Sequence, residues 1–201
     1  MTASPDRSGR STGRWDHVNH SLLFLEIASL HGPGGTESDR EVARAPLHRV
    51  VRNAFADSDI PWSNCRHVER HDGVLVVIPP SVTTSVIVDR LIPHIQNGVR
   101  RYNREAAPVR MQLRASLHVG PVTVSPDGLS GQAIAAAARL LNTPELAGSD
   151  ADLAVMVSSQ VYETVIRHAS GFADPTRYLE ISSGAWLFAP EPGVYPRHWA
   201  G

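Results

Sequence analysis

The run "GVLVVI" at positions 73 to 78 is preceded by His71-Asp72 and by a second extended stretch, "CRHVER" at 65 to 70. His-Asp-Gly is turn chemistry, so the two stretches read as a β-hairpin with Asp72 at its tip. This hairpin falls between two segments of helical period, and that order restricts the fold most. The earlier segment, Asp39 to Phe55, places Val42, Leu47, Val50, Val51, Ala54 and Phe55 at helical spacing, with Pro46 confined to its first turns or kinking it. The later one, Ser81 to Asn103, has Ser81 as cap, Val82, Val86, Leu91, Ile95, Val99 and Tyr102 along it, and a kink at Pro93.

Ahead of both, "SLLFLEIASL" is a nearly continuous apolar strand of the kind buried on both faces. Downstream, "MQLRASLHVGPVTV" is a long strand interrupted at Gly120-Pro121, and an Ala-rich helix starts after Gly131. "LAVMVS" and "SQVYETVIRHA" give another strand and helix, and "RYLEI" with "AWLFA" a closing hairpin. Helices segregated around a mid-chain hairpin predict an α+β sandwich, not a doubly wound sheet. Residues 1–17 and 191–201 lack apolar periodicity and read as flexible tails around one domain at 18–190.

Composition removes several functions. The formal net charge is -1, from 19 basic and 20 acidic residues, which argues against a nucleic-acid or anionic-membrane partner. Every basic residue is Arg, so Schiff-base chemistry and a Walker lysine are excluded. Cys65 is the single cysteine and has no disulfide partner or metal-ligand companion, which suits a reducing cytoplasm. "LLFLEI" is too short to span a bilayer and lacks the flanks of a signal peptide.

Four motifs in order resemble the class III nucleotidyl cyclase catalytic domain: "FLEI", "RHDGVLVVI", "LRASLHVGPV" and "GQAIAAAARLL". The resemblance spans about residues 20 to 190 and implies a ferredoxin-like, palm-type sandwich with helices packed on a mainly antiparallel sheet. It implies that the carboxylates of Glu26 and Asp72 hold Mg²⁺ or Mn²⁺, hard cations that bridge the phosphates of a nucleoside triphosphate. It further implies that Arg139 stabilises charge on the transferred phosphoryl group from across a dimer interface, in a homodimer or in a heterodimer with another cyclase-like chain. Read alone, Asp72 is equally a turn residue bonding its own backbone. Glu26 in an apolar strand needs a metal, an Arg or a site-facing position to offset its burial.

The departures from the pattern matter as much. Ala135 stands where the family carries an Asn that orients the ribose, and Gln132, almost one turn earlier, is the amide nearest in sequence. Val68 and Gly128 fall at the base-reading positions, with Glu69 and Asp127 beside them; Glu69 reaches a base only if the hairpin slips by one residue, which would reverse its face. "HGPGG" replaces the compact phosphate loop, with Gly34-Gly35 as a backbone cradle or a plain loop. His67, His71 and His118 lie on or beside site strands without metal-ligand spacing. Two readings compete: a diverged module, catalytically weak or inactive, that binds a nucleotide or a partner in regulation; and an active metal-dependent nucleotidyl cyclase.

Overall fold

A computed structural model describes residues 18–31, 37–105, 110–125, 128–169, 173–181 and 184–188. The tails, Gly34-Gly35 and Asp127 lie outside the described residues. A sheet of seven strands runs in the order β2-β3-β1-β4-β7-β9-β8. These are β1 Asn19–His31, β2 Arg66–Glu69, β3 Gly73–Ile78, β4 Arg110–Pro121, β7 Leu153–Val157, β8 Tyr178–Glu180 and β9 Trp186–Phe188. Only β4 and β7 pair in parallel; all other neighbours are antiparallel. A separate two-stranded ribbon, β5 Thr123–Ser125 with β6 Gly128–Ser130, follows the Gly120-Pro121 interruption.

The alternation of β1 divides the core. Leu23, Leu25 and Ile27 face one side, where they meet α1 Glu37–Asp57 and α3 Ile92–Arg104. Leu22 and Phe24 face the other, where α4 Gln132–Leu141 and the short α5 Pro144–Ala147 cover part of the sheet. By the same period Glu26 shares the α4 side. The α+β sandwich predicted from element order is therefore the observed architecture, with helices on both faces of a mostly antiparallel sheet.

Pro46 lies inside α1, whereas Pro93 acts differently from the predicted kink. The segment begins as α2 Thr84–Val86, widens to a π-helical turn at Ile87–Leu91, and becomes regular as α3 with Pro93 in its first positions. A proline offers no N–H to the preceding turn, and the ladder accommodates that loss by widening upstream. The cap is Thr83 rather than Ser81. The predicted helix after "LAVMVS" is likewise one turn, α6 Ser159–Val161, followed by a π-helical turn at Tyr162–Ile166. Gly131 opens α4 at φ 143°, a conformation that side chains rarely adopt, so the glycine there is required by the turn from β6 into the helix.

Candidate functional site

The hairpin tip and β1 meet where β3 begins. Gly73 pairs with Glu26, and the Ile27 N–H donates to the Asp72 carbonyl at 2.8 Å. A Cβ on Gly73 would stand 1.9 Å from the Leu25 carbonyl oxygen, so only glycine permits this approach. The Asp-Gly order thus has a packing cause: the close crossing brings the half-buried Asp72 into electrostatic contact with Glu26.

On the opposite neighbour of β1, Arg114 is the register partner of Glu26, and its Nη2 donates to Glu26 Oε1 at 2.8 Å. Both side chains are about one-fifth exposed, 21% for Arg114 and 20% for Glu26. Arg114 Nε is buried with no hydrogen-bond partner among the described residues. Arg70, at the turn, lies over the Phe24 ring at 5.7 Å and also bears on Glu26. Despite two nearby guanidinia, the Glu26 carboxyl titrates above its ordinary range, because burial first and then the Asp72 charge outweigh them.

The structure thus brings Glu26 and Asp72 together and adds Arg114 and Arg70, which the sequence motifs did not single out. The signal for Arg114 was available in "LRASLHVG": alternation puts a charged side chain at 114 on the same face as Ser116 and His118. Only the pairing register shows that it sits opposite Glu26.

Other predicted residues are placed elsewhere. Glu69 pairs across the hairpin with Val74, on the α1 side, and its carboxylate meets His48 Nε2 at 2.8 Å. No one-residue slip has occurred, so Glu69 does not face Glu26, whereas the exposed Val68 does share that side with Leu75. His67 is also turned away, its ring 4.8 Å from that of Trp62. Gln132, Ala135 and Arg139 are all exposed and form one stripe along α4. Arg139 bears on His118, whose pKa is lowered mainly by burial and secondarily by that charge. His118 pairs with Leu22, four residues from Glu26 along β1, or about 13 Å. Within one chain Arg139 therefore stands apart from the carboxylates.

The donor chemistry of Glu26 and Asp72 fits a hard divalent cation. Both are carboxylates, they repel each other, and the arginines do not fully compensate the pair. Among the described residues no group of three or more His, Cys, Asp or Glu side chains is placed to hold a metal ion, so the two carboxylates would share it with phosphate and water oxygens.

The strand order, the central hairpin and the placement of α4 give the chain the fold of solved adenylate and guanylate cyclase domains. An adenylate/guanylate cyclase/hydrolase from Silicibacter pomeroyi superposes with a TM-score of 0.57 at 19% identity, over 86% of this chain and 98% of that one. The dimeric guanylyl cyclase domain of the RhoGC fusion protein from Blastocladiella emersonii gives 0.58 at 15% identity, over 86% and 94%. The guanylate cyclase domain of RhGC from Catenaria anguillulae, solved in complex with GTP, gives 0.55 at 16%, over 88% and 99%. No family model and no curated protein matches the sequence. At these identities the likeness is one of fold.

Proposed function

We propose that this chain is a diverged cyclase-fold module, catalytically weak or inactive, that binds a nucleoside triphosphate or a partner chain as a regulatory element. The observation that carries this reading is an asymmetry. The charged cluster of Glu26, Asp72, Arg114 and Arg70 is assembled on the sheet, while the exposed stripe on α4 presents a methyl group at Ala135 between Gln132 and Arg139. Glu26 and Asp72 are the residues that would hold Mg²⁺ or Mn²⁺, and a bound cation supplies charge neutralisation for phosphate oxygens. Arg114 and Arg70 offer guanidinium donors suited to the same oxygens. Ala135 offers nothing to orient a ribose, and Val68 nothing polar to read a base. Loss of one positioning or stabilising donor costs about a hundredfold or more in rate.

Assembly belongs to the same proposal. Arg139 stands on an exposed helix face and bears on His118, whose place in the sheet is about 13 Å along β1 from that of Glu26. It would serve a site only across an interface, in a homodimer or in a heterodimer with a cyclase-like chain that supplies the missing groups.

The specific support for the rival reading, an active cyclase, is that Glu26, Asp72 and Arg139 survive together. In that reaction the ribose 3′-oxygen bonds to the α-phosphorus, the bond from that phosphorus to the α–β bridging oxygen breaks, pyrophosphate leaves, and the hydroxyl proton passes to solvent. Incubation with Mn²⁺ and each of ATP, GTP, CTP and UTP separates the two. The expected result is nucleotide binding with little or no cyclic monophosphate. Robust product that vanishes in the Glu26→Ala/Asp72→Ala variant would establish the enzyme instead.

A further inference from the structure

Arg114 reaches Glu26 from the neighbouring strand, and its Nη2 donates to one carboxylate oxygen, Oε1, at 2.8 Å. The pair is largely enclosed by the sheet and its surroundings. Arg114 Nε already lies buried without a hydrogen-bond partner among the described residues. If Nη2 released Oε1 as well, a guanidinium short of one partner would lose a second, and a largely buried charge stripped of its counter-ion is costly. Glu26 Oε1 is thereby committed to Arg114.

The Asp72 side chain is in the opposite condition. It is half-buried, and no described residue reaches its carboxylate with a hydrogen bond or an ion pair. Its backbone is fixed all the same, because the Ile27 N–H donates to the Asp72 carbonyl at 2.8 Å. The carboxylate oxygens left for a hard cation are therefore Glu26 Oε2 and the pair on Asp72. Two divalent cations held together stand about 3.5–4 Å apart and are best served by carboxylates that give an oxygen to each. Glu26 has one oxygen held by an arginine and cannot do so, and the guanidinium adds like-charge repulsion against a second ion.

We infer that Arg114 caps Glu26, so that the carboxylate pair takes a single divalent cation through Asp72 and Glu26 Oε2 and excludes a second. The inference rests on the proposed reading of Glu26 and Asp72 as metal-holding residues and deepens it. A two-ion site stabilises both the attacking and the leaving oxygen of a displacement, whereas one ion neutralises phosphate without doing both. Arg114 is thus a positioning residue, and the cap favours holding a nucleotide over converting it.

Electron paramagnetic resonance of Mn²⁺ titrated into the full chain tests this without recourse to activity. The titration is run on the protein alone and with 3′-deoxy-ATP or 3′-deoxy-GTP, which lack the reacting hydroxyl. The wild-type chain should hold one Mn²⁺ with the spectrum of an isolated ion in each case, and Asp72→Asn should weaken that binding about tenfold or more. Arg114→Met should tighten it about tenfold or more, because a competing cation is removed and Oε1 is freed. Loss of an arginine with a merely structural role would weaken the binding or leave it alone. The wild-type count involves no variant, so it decides the matter even if Arg114→Met does not fold. Two ions per chain, the spectrum of a spin-coupled pair, or a folded Arg114→Met that binds no more tightly would overturn the cap and leave the metal-holding reading standing. Absence of saturable Mn²⁺ binding, or binding indifferent to Asp72→Asn, would overturn both.

Discussion

Gly73 is the residue on which the candidate site depends most directly. Its partner strand passes so close that a methyl group would strike the Leu25 carbonyl oxygen, and relief requires β1 and β3 to separate at the position that holds Glu26 beside Asp72. Gly73→Ala should therefore destabilise the protein by about 3 kcal/mol, the upper range for forcing atoms into a packed interior. Urea unfolding would measure this, and a loss below the error of extrapolation would mean that the strands yield freely. Asp72 was legible in the sequence as a turn residue and as a possible metal ligand. The reason for the glycine after it was not, because the obstructing oxygen belongs to a strand 48 residues earlier.

Among the elements, α4 carries the departure that sets the proposed function. Its buried positions, Ala133, Ala137 and Leu141, pack on the sheet, and Ser116 of β4 ties to the helix by donating to the Ala137 carbonyl at 2.7 Å. Ala135 lies on the solvent side, so Ala135→Asn should change stability by no more than about 0.7 kcal/mol, the spread of helix propensity. If the missing amide limits the chemistry, the same substitution should raise cyclic nucleotide formation by about a hundredfold. A stable variant with no gain in the Mn²⁺ assay would place the defect in base recognition or the phosphate loop. The existence and type of these elements could be read from period and composition. The π-helical turns before Pro93 and after Val161 could not, since apolar spacing is nearly the same for a helix that widens for one turn.

At the scale of the molecule, two histidines couple the fold to pH. His20, 1% exposed, and His118 both have pKa values lowered chiefly by burial. Each is held neutral in the folded protein and ionises more readily once unfolded, near 6.5. The folded state thus binds fewer protons, and stability present above that pH should be lost as the pH falls through the lowered values. Glu26 works in the opposite sense, because its raised pKa lets the folded state take up a proton first, as the pH falls toward 4.5. The melting temperature should accordingly drop between pH 7.5 and 5.5, and His118→Asn should make the drop shallower. A flat profile over that range would remove the histidines from the account.

The sequence alone determined the α+β class, the central hairpin with Asp72 at its tip, and the pair of carboxylates worth examining. The first two follow from local periodicity and turn chemistry, which act over a few residues; the carboxylates were paired by the resemblance of four motifs to the cyclase family. Tertiary structure decided which side chains share a face: Arg114 opposite Glu26, Glu69 turned away to His48, and Arg139 beside His118. Strand order and register set those neighbours. They arise from how the whole chain buries its two apolar layers against one sheet, a condition that no short window of sequence contains.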